Sequence, residues 1–254
     1  MNSYEQLNFP KIDYKFWADK NNFFSKDEIP TTIKSGITSA KKGGLIGNLK
    51  LISANDINLQ IEARIKNFNL EESQENELLI IFDLIQAWGG ANGRRPYQKG
   101  AERITNANNF ALAYRNKISL FIQKGSGHSF NESEVNFLEK EMLLPGVRLP
   151  FFSKHMYFWS KNRPEINKIF NIYDSRMEFI FRAFNKNKRM SYFNFLSIIQ
   201  MIEANYKIKT GEAETAIFAF SNNFFDNKGT LKDSFEYEND HDEAIRIMKN
   251  ISKS

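Results

Sequence analysis

The stretch "LLPGVRLPFFSKHMYFW", residues 143–159, carries the clearest structural signal in the chain. Pro145 cannot continue a preceding helix, and Gly146 tolerates a positive φ. Pro150 suits the first turn of a following helix. The stretch therefore predicts a helix-hairpin-helix whose free backbone N–H groups, at the positive end of the second helix, can hold a phosphate. An ordinary hairpin of two helices would have the same pattern.

On the second helix, Lys154 lies outside the apolar stripe of Phe152, Met156 and Trp159. Helical spacing places three aromatic residues near it, namely Phe151, Tyr157 and Phe158. A buried lysine must extend to solvent, find a partner or lose its proton, and the last outcome would make it a nucleophile. Further along, Asp174 precedes an amphipathic segment, as an N-cap residue does. A helix start keeps such a carboxylate ionised.

Apolar residues recur at helical spacing along much of the chain, whereas strand-like alternation is scarce, so we expect a mainly α fold. The clearest stripes are Ile57, Ile61 and Ile65; Leu78, Phe82 and Ile85; and Val135, Leu138 and Met142. Similar stripes occupy residues 104–122, 175–185, 191–206, 211–224 and 241–252. Residues 31–48 are rich in Gly, Ser and Thr, and they predict a loop or an ordered extension rather than a helix.

The composition describes a chain of 254 residues with a formal net charge of +5. Six acids and no Lys or Arg lie in 233–243, so the remainder is more basic than this value indicates. A basic surface suits a polyanionic partner, although a solvated lysine-rich surface would give the same charge. We interpret 233–243 as a solvated turn.

The chain has no cysteine, which excludes disulfides, thiolate catalysis and cysteine-bound metals. No signal peptide or membrane-length apolar run is apparent. We therefore expect a soluble, cytoplasmic protein with no membrane partner and no obligate protein partner.

The loop "QAWGGANGRRPYQKG", residues 86–100, combines glycines, arginines and aromatic residues. Such a mixture suits insertion into DNA, because basic and aromatic side chains can enter a groove or wedge between bases. The candidates for this wedge are Arg94, Arg95 and Tyr97. Gly89 and Gly90 would let the backbone approach the duplex. Trp88 is a candidate for either the base pocket or the core.

The hairpin, lysine and aspartate together resemble the helix-hairpin-helix DNA glycosylases. "LPGV" at 144–147 and "IYDSR" at 172–176 carry this resemblance, and "FFSKHMYFW" with the upstream loop is similar to the 8-oxoguanine-glycosylase-like proteins of bacterial defence loci. The resemblance implies a helical glycosylase fold with a cleft between two helical lobes.

The resemblance extends over residues 75–205, the glycosylase-like core, which includes the hairpin at 143–160. It leaves residues 1–70 as an extension and helix of unassigned role, and 206–254 as C-terminal helices of one glycosylase-like unit.

The resemblance also implies roles for single residues. Asp174 would stabilise an oxocarbenium ion during cleavage of the N-glycosidic bond, and Lys154 would be a Schiff-base nucleophile. The family's lysine stands four residues earlier, where this chain has Pro150, so Lys154 would act from one turn further along the same face. The expected DNA contacts of the hairpin are Pro145, Gly146, Val147 and Arg148. The expected base pocket consists of Trp88, Phe151, His155 and Tyr157.

We expect no cofactor and no catalytic metal, because no two of the three histidines have a metal-ligand spacing. The resemblance alone implies a structural monovalent ion at the hairpin carbonyls. The leading hypothesis is a DNA glycosylase that excises a modified base from double-stranded DNA, such as glucosylated hydroxymethylcytosine in antiphage defence. An 8-oxoguanine repair glycosylase, an inert helical DNA-binding protein and a nuclease are the alternatives.

Overall fold

The computed structural model of the chain describes residues 9–20, 31–41, 46, 49, 53–72, 74–90, 103–125, 131–142, 147–186 and 188–252. Within these ranges the chain forms eleven helices and no β-strand, which confirms the mainly α fold. In chain order the helices are α1 (Tyr14–Asp19), α2 (Thr31–Lys41), α3 (Ala54–Asn67), α4 (Glu75–Trp88), α5 (Arg103–Gly125), α6 (Glu132–Met142), α7 (Leu149–Asn162), α8 (Ser175–Arg182), α9 (Tyr192–Tyr206), α10 (Glu212–Phe224) and α11 (His241–Ser252).

The apolar stripes of the sequence correspond to α3–α6 and α8–α11. In α3, for example, Ile57, Ile61 and Ile65 are completely buried, because residues four apart lie on one face of a helix. The helix predicted after the hairpin is α7, and Pro150 lies in its first turn as expected. Hydrophobic periodicity was therefore sufficient to locate most of the helices.

Helix α2 shows that the expected loop or extension over 31–48 is wrong for residues 31–41. Ile33 and Ile37 are one turn apart and both are buried. Between them, Gly36 packs against α4 so closely that a Cβ atom there would lie 2.3 Å from the Ala87 carbonyl oxygen. Burial of this face outweighs the low helix propensity of Gly, Ser and Thr. Local sequence rules consider only the propensity, so they predicted a loop.

The described residues divide into two compact units. Unit 1 has the bounds Met1–Asn21 with Asn171–Ser254, and unit 2 has the bounds Asn22–Phe170. The boundary falls inside residues 75–205, the predicted glycosylase-like core. The prediction that the whole chain forms one glycosylase-like unit stays a prediction.

Unit 2 is built around α4, which packs against α2, α3, α5 and α7. Every residue from Ile81 to Ala87 is buried, as expected for a helix with neighbours on all sides. Two members of this run are polar, namely Asp83 and Gln86. Because α4 is buried and packs against α7, its last residue, Trp88, is positioned beside α7.

Unit 1 holds α1 against α10. Trp17 is 1% exposed, and its ring has edge-on contacts with Phe220 and Phe224 at centroid distances of 5.7 and 5.9 Å. The indole Nε1–H donates to the Asp240 carboxylate at 2.7 Å. The first helix is therefore part of the core of unit 1.

The acidic stretch 233–243 contributes to this attachment. Asp240 also accepts a hydrogen bond from the backbone N–H of Asp13, and Glu243 accepts one from the backbone N–H of Lys11. The interpretation of the stretch as a solvated turn is therefore wrong for these two acids, because their partners lie more than two hundred residues away in the sequence. In the described residues, no helix is long and apolar enough to cross a membrane.

Candidate functional site

The described part of the hairpin stretch begins at Val147. This valine is 7% exposed, and Arg148 is an exposed N-cap residue of α7 with no side-chain capping bond. The backbone carbonyl of Arg148 accepts hydrogen bonds from the N–H groups of Phe151 and Phe152, each at 2.9 Å. Pro145 and Gly146 lie outside the described residues, so the phosphate site at the hairpin stays a prediction.

Lys154 is buried, with 6% of its surface exposed. Its Nζ lies 5.9 Å from the ring centroid of Trp88 and 5.5 Å from that of Phe151, within the range of cation–π attraction. The same ammonium donates to the Pro150 carbonyl at 3.3 Å. Phe151 is one of the ring neighbours expected from the sequence, and the Trp88 ring comes from the upstream segment.

Gly89 brings that segment and α7 together. A Cβ atom at this position would lie 2.4 Å from Cε1 of Phe151 and 3.2 Å from Cδ of Lys154. The absence of a side chain thus makes room for the aromatic and the lysine, which differs from the expected role in approaching DNA. Gly90 has a φ of 96°, a value that favours glycine. The wedge candidates Arg94, Arg95 and Tyr97 lie outside the described residues.

The other aromatic candidates flank this cluster. Trp88 is half-buried, and its ring has an edge-on contact with Phe158 at 5.2 Å. Tyr157 is also half-buried, and its hydroxyl accepts a hydrogen bond from Nζ of Lys161 at 3.3 Å. The structure thus joins Trp88, Gly89, Phe151 and Lys154, which lie in two distant segments. We call these four residues the lysine cluster.

His155 belongs to a buried polar network that the sequence did not predict. Its Nδ1 lies 2.7 Å from the Tyr114 hydroxyl, and its Nε2 lies 3.1 Å from Nε2 of Gln86. Trp159 Nε1–H donates to the same Tyr114 oxygen at 2.8 Å. The imidazole also stacks on Phe82 at 4.8 Å. Both ring nitrogens are engaged and only 3% of the residue is exposed, which favours a structural role over the base pocket.

The electrostatics of this network keep His155 neutral. Burial lowers its pKa to about 3, and the positive charge of Lys154 acts in the same direction. Burial also raises the pKa of Tyr114 well above its usual value, so the phenol stays protonated. The network therefore carries no net charge at neutral pH, which avoids a buried charge in the core of unit 2.

Asp174 is the N-cap residue of α8, as predicted from the sequence. Its Oδ1 accepts hydrogen bonds from the backbone N–H groups of Arg176 at 3.0 Å and Met177 at 3.3 Å. The side chain is half-buried. Two backbone donors and the positive end of a helix all favour the ionised carboxylate. Asp174 belongs to unit 1, whereas the lysine cluster belongs to unit 2.

Arg176 anchors the start of α8 within unit 1. Its Nη1 lies 3.3 Å from the carbonyl oxygens of Ser221 and Phe225, at the C-terminal end of α10, and its Nη2 donates to Asn227 at 2.9 Å. Burial lowers the pKa of the guanidinium, and the nearby Asp174 carboxylate opposes this effect. These contacts are long-range, so no local sequence pattern indicates the role of Arg176.

Comparisons with known proteins assign no family. No family model, no curated protein and no solved structure matches the chain. In the described ranges, no group of three or more His, Asp or Glu residues is placed to hold a metal ion.

Each of the two candidate groups has a chemistry of its own, the Asp174 carboxylate in unit 1 and the Lys154 amine in unit 2. A carboxylate fixed at a helix start can stabilise a cation that develops on a substrate, because its donors and its position are already set. A primary amine beside aromatic rings can either carry a positive charge or, once deprotonated, attack an electrophilic carbon.

Proposed function

We propose that the protein is a DNA N-glycosylase that flips a modified nucleobase out of double-stranded DNA and leaves an abasic site. The observation that carries this proposal is the N-cap geometry of Asp174, whose carboxylate accepts two backbone hydrogen bonds at the start of α8. The order of α7, connecting segment and capped α8 agrees with the order of elements in the glycosylases that the sequence resembles. The basic composition of the chain, with its net charge of +5, also favours a polyanionic substrate.

Asp174 is the proposed catalytic carboxylate. Cleavage of an N-glycosidic bond develops positive charge at C1′ and on the ring oxygen of the sugar. A carboxylate that already accepts two hydrogen bonds need not reorganise as this charge appears, so its interaction is stronger in the transition state than in the ground state.

Lys154 has two possible roles in this reaction. As a neutral amine it would attack C1′, displace the base and form an imine, which opens a route to strand cleavage by a lyase step. As an ammonium it would bind the anionic strand while water attacks C1′. Its contacts with Trp88 and Phe151 provide the surroundings for either role.

The proposed substrate class is a modified base of phage DNA, such as glucosylated hydroxymethylcytosine. This part of the proposal is supported by the sequence resemblance to glycosylase-like proteins of bacterial defence loci. An oxidised guanine is the competing substrate.

A single assay tests the function. The purified protein is incubated with duplexes that contain glucosylated hydroxymethylcytosine, 8-oxoguanine or only ordinary bases, and the products are treated with alkali or heat. Breaks at the modified position indicate abasic sites and support the proposal, and the duplex that breaks identifies the base. Binding without breaks across a wide panel of modified DNAs would contradict a glycosylase, and metal-dependent cutting of ordinary DNA would indicate a nuclease.

A further inference from the structure

Four cations surround the turn that joins α8 to α9, and we call them the basic turn: Arg182, Lys186, Lys188 and Arg189. Both lysines are exposed, and the arginine side chains are 48% and 51% exposed. These four residues lie outside the hairpin and the upstream loop, the two segments predicted from the sequence to contact DNA. The basic turn is therefore a positive surface of unit 1 with no assigned role.

Local hydrogen bonds hold the basic turn in shape. The backbone N–H of Lys188 donates to the Asn185 carbonyl at 2.8 Å, and the Asn185 side-chain amide donates to the Lys188 carbonyl at 3.2 Å. Lys186 has a φ of 48°, in the left-handed region. These contacts between Asn185 and Lys188 order part of the turn before a ligand binds, which lowers the entropic cost of binding.

The acidic neighbour of the basic turn neutralises it only in part. Glu178 on α8 lies 3.6 Å from Nε of Arg182 and 3.9 Å from Nε of Arg189. Exposed ion pairs at such distances are weak, and each guanidinium has further N–H donors for a phosphate. In the part of the chain that the structure describes, neither lysine has an acidic side chain within ion-pair distance.

The basic turn lies beside the segment that carries Asp174. The hydroxyl of Tyr173, the residue before Asp174, donates to the carbonyl of Met190, the residue after Arg189, at 3.3 Å. Burial raises the pKa of Tyr173 to about 12, while the charge of Arg189 acts against this rise. A hydrogen bond therefore connects the basic turn to the residue that precedes the proposed catalytic carboxylate, within unit 1.

Two apolar residues around the turn are buried, and a third, Phe184, is half-buried. Ala183 and Met190 are 8% and 5% exposed, and the ring of Phe184 lies 4.9 Å from the guanidinium carbon of Arg246 on α11. A surface that inserts into a membrane exposes apolar side chains between its cations. Contact with a nucleic-acid backbone needs the cations alone, because the phosphates supply the binding energy through counterion release.

We propose that the basic turn binds the phosphodiester backbone of duplex DNA and is a second DNA contact, in the same unit as Asp174. The inference rests on the proposed glycosylase function for its ligand. Backbone contacts set the register of a protein on DNA without reading the sequence. A contact at the basic turn would thus help to position the strand relative to the catalytic carboxylate.

The experiment compares the wild type with the double variant K186Q/K188Q and with the matched control K209Q/K249Q, which removes two exposed lysines elsewhere in unit 1. Binding of a fluorescent, unmodified duplex is measured by anisotropy between about 50 and 200 mM salt. We expect K186Q/K188Q to weaken binding on every sequence and to reduce the slope of log K against log salt by about 2, since each phosphate contact contributes about 1. The control should keep the wild-type slope, and all three proteins should melt at the same temperature.

The results distinguish a failure of the basic-turn inference from a failure of the glycosylase proposal. An unchanged slope in K186Q/K188Q, with DNA binding intact, would overturn the inference and leave the glycosylase proposal standing. An equal loss of slope in the control would also overturn it, because the effect would then be one of net charge. Binding to phosphatidylserine vesicles in place of DNA, or no binding to duplex DNA by the wild type, would overturn the inference too. A reduced slope without excision of any base would support the surface and contradict the enzyme.

Discussion

The Tyr114 hydroxyl lies 2.7 Å from Nδ1 of His155, and this contact joins α5 to α7 in the core of unit 2. Because burial lowers the pKa of His155 to about 3, the unfolded chain, with a pKa of about 6.5, takes up a proton before the folded protein does. The contribution of His155 to stability is therefore complete above pH 6.5 and is lost as the pH falls toward 3.

We expect the free energy of unfolding to fall by about 2 kcal/mol between pH 7 and pH 5 from this group alone. The variant H155Q, which has no titrating ring, should lose most of this dependence. Y114F is the control, since it should lower stability at every pH while it keeps the slope. Urea unfolding at several pH values measures both, and an identical slope in H155Q and the wild type would contradict a neutral buried histidine.

Much of the fold follows from local pattern, and the exceptions have physical causes. The stripes at 57–65 and 78–85 predicted helices because burial of one face repeats every turn. Helix α2 was not predicted, since the burial of its Ile33 and Ile37 face and its close packing on α4 are tertiary contacts, which local propensity does not include. The N-cap role of Asp174 was predictable because a cap is defined by its own next three residues.

The surroundings of the candidate residues were less predictable. Lys154 was expected to have aromatic neighbours on its own helix, and Phe151 is one of them. The Trp88 ring comes from α4, more than sixty residues earlier in the sequence, and no local rule pairs two such segments. The partners of His155 on α4 and α5 were missed for the same reason.

The attachment of the first helix gives a stability prediction. Trp17 is buried against α10 and donates to Asp240, so W17A should lower the free energy of unfolding by about 3–5 kcal/mol. W17F keeps a ring in place but leaves the Asp240 carboxylate without this donor, and it should cost less, about 1–3 kcal/mol. L59A, at a residue that is 52% exposed on α3, is the control and should have little effect. Equal losses in W17A and L59A would show that the first helix does not stabilise unit 1.

Substitutions at Asp174 can separate the effect of its negative charge on excision from the effect of its N-cap hydrogen bonds on stability. D174N keeps an oxygen that can accept the hydrogen bonds from Arg176 and Met177, so its stability should stay close to that of the wild type. Excision should fall by a factor of about 10² or more, because the negative charge opposite the developing cation is gone. D174A should lose the same activity and, in addition, about 1 kcal/mol of stability.

The matched control for D174N is D13N, which removes the charge of another N-cap aspartate in unit 1. It should leave excision unchanged. Single-turnover excision and urea unfolding are measured on all three variants. Excision by D174N at the wild-type rate would remove the catalytic role from Asp174 and with it the main support for the glycosylase proposal.

Substitution of Lys154 tests whether an amine or water is the nucleophile. Nζ of Lys154 is held by the Pro150 carbonyl and by the rings of Trp88 and Phe151, and only 6% of the residue is exposed. Because a sugar carbon would have to displace these contacts to reach Nζ, we expect water to be the nucleophile and Lys154 to act as a positioning residue. Borohydride added during turnover should then trap no covalent complex between protein and DNA, while abasic product accumulates. K154Q should excise more slowly, and K161Q, which removes an exposed lysine from the same helix, should behave as the wild type. A trapped complex in the wild type and in K161Q that is absent in K154Q would establish the imine route instead, and with it a lyase activity at the lysine cluster.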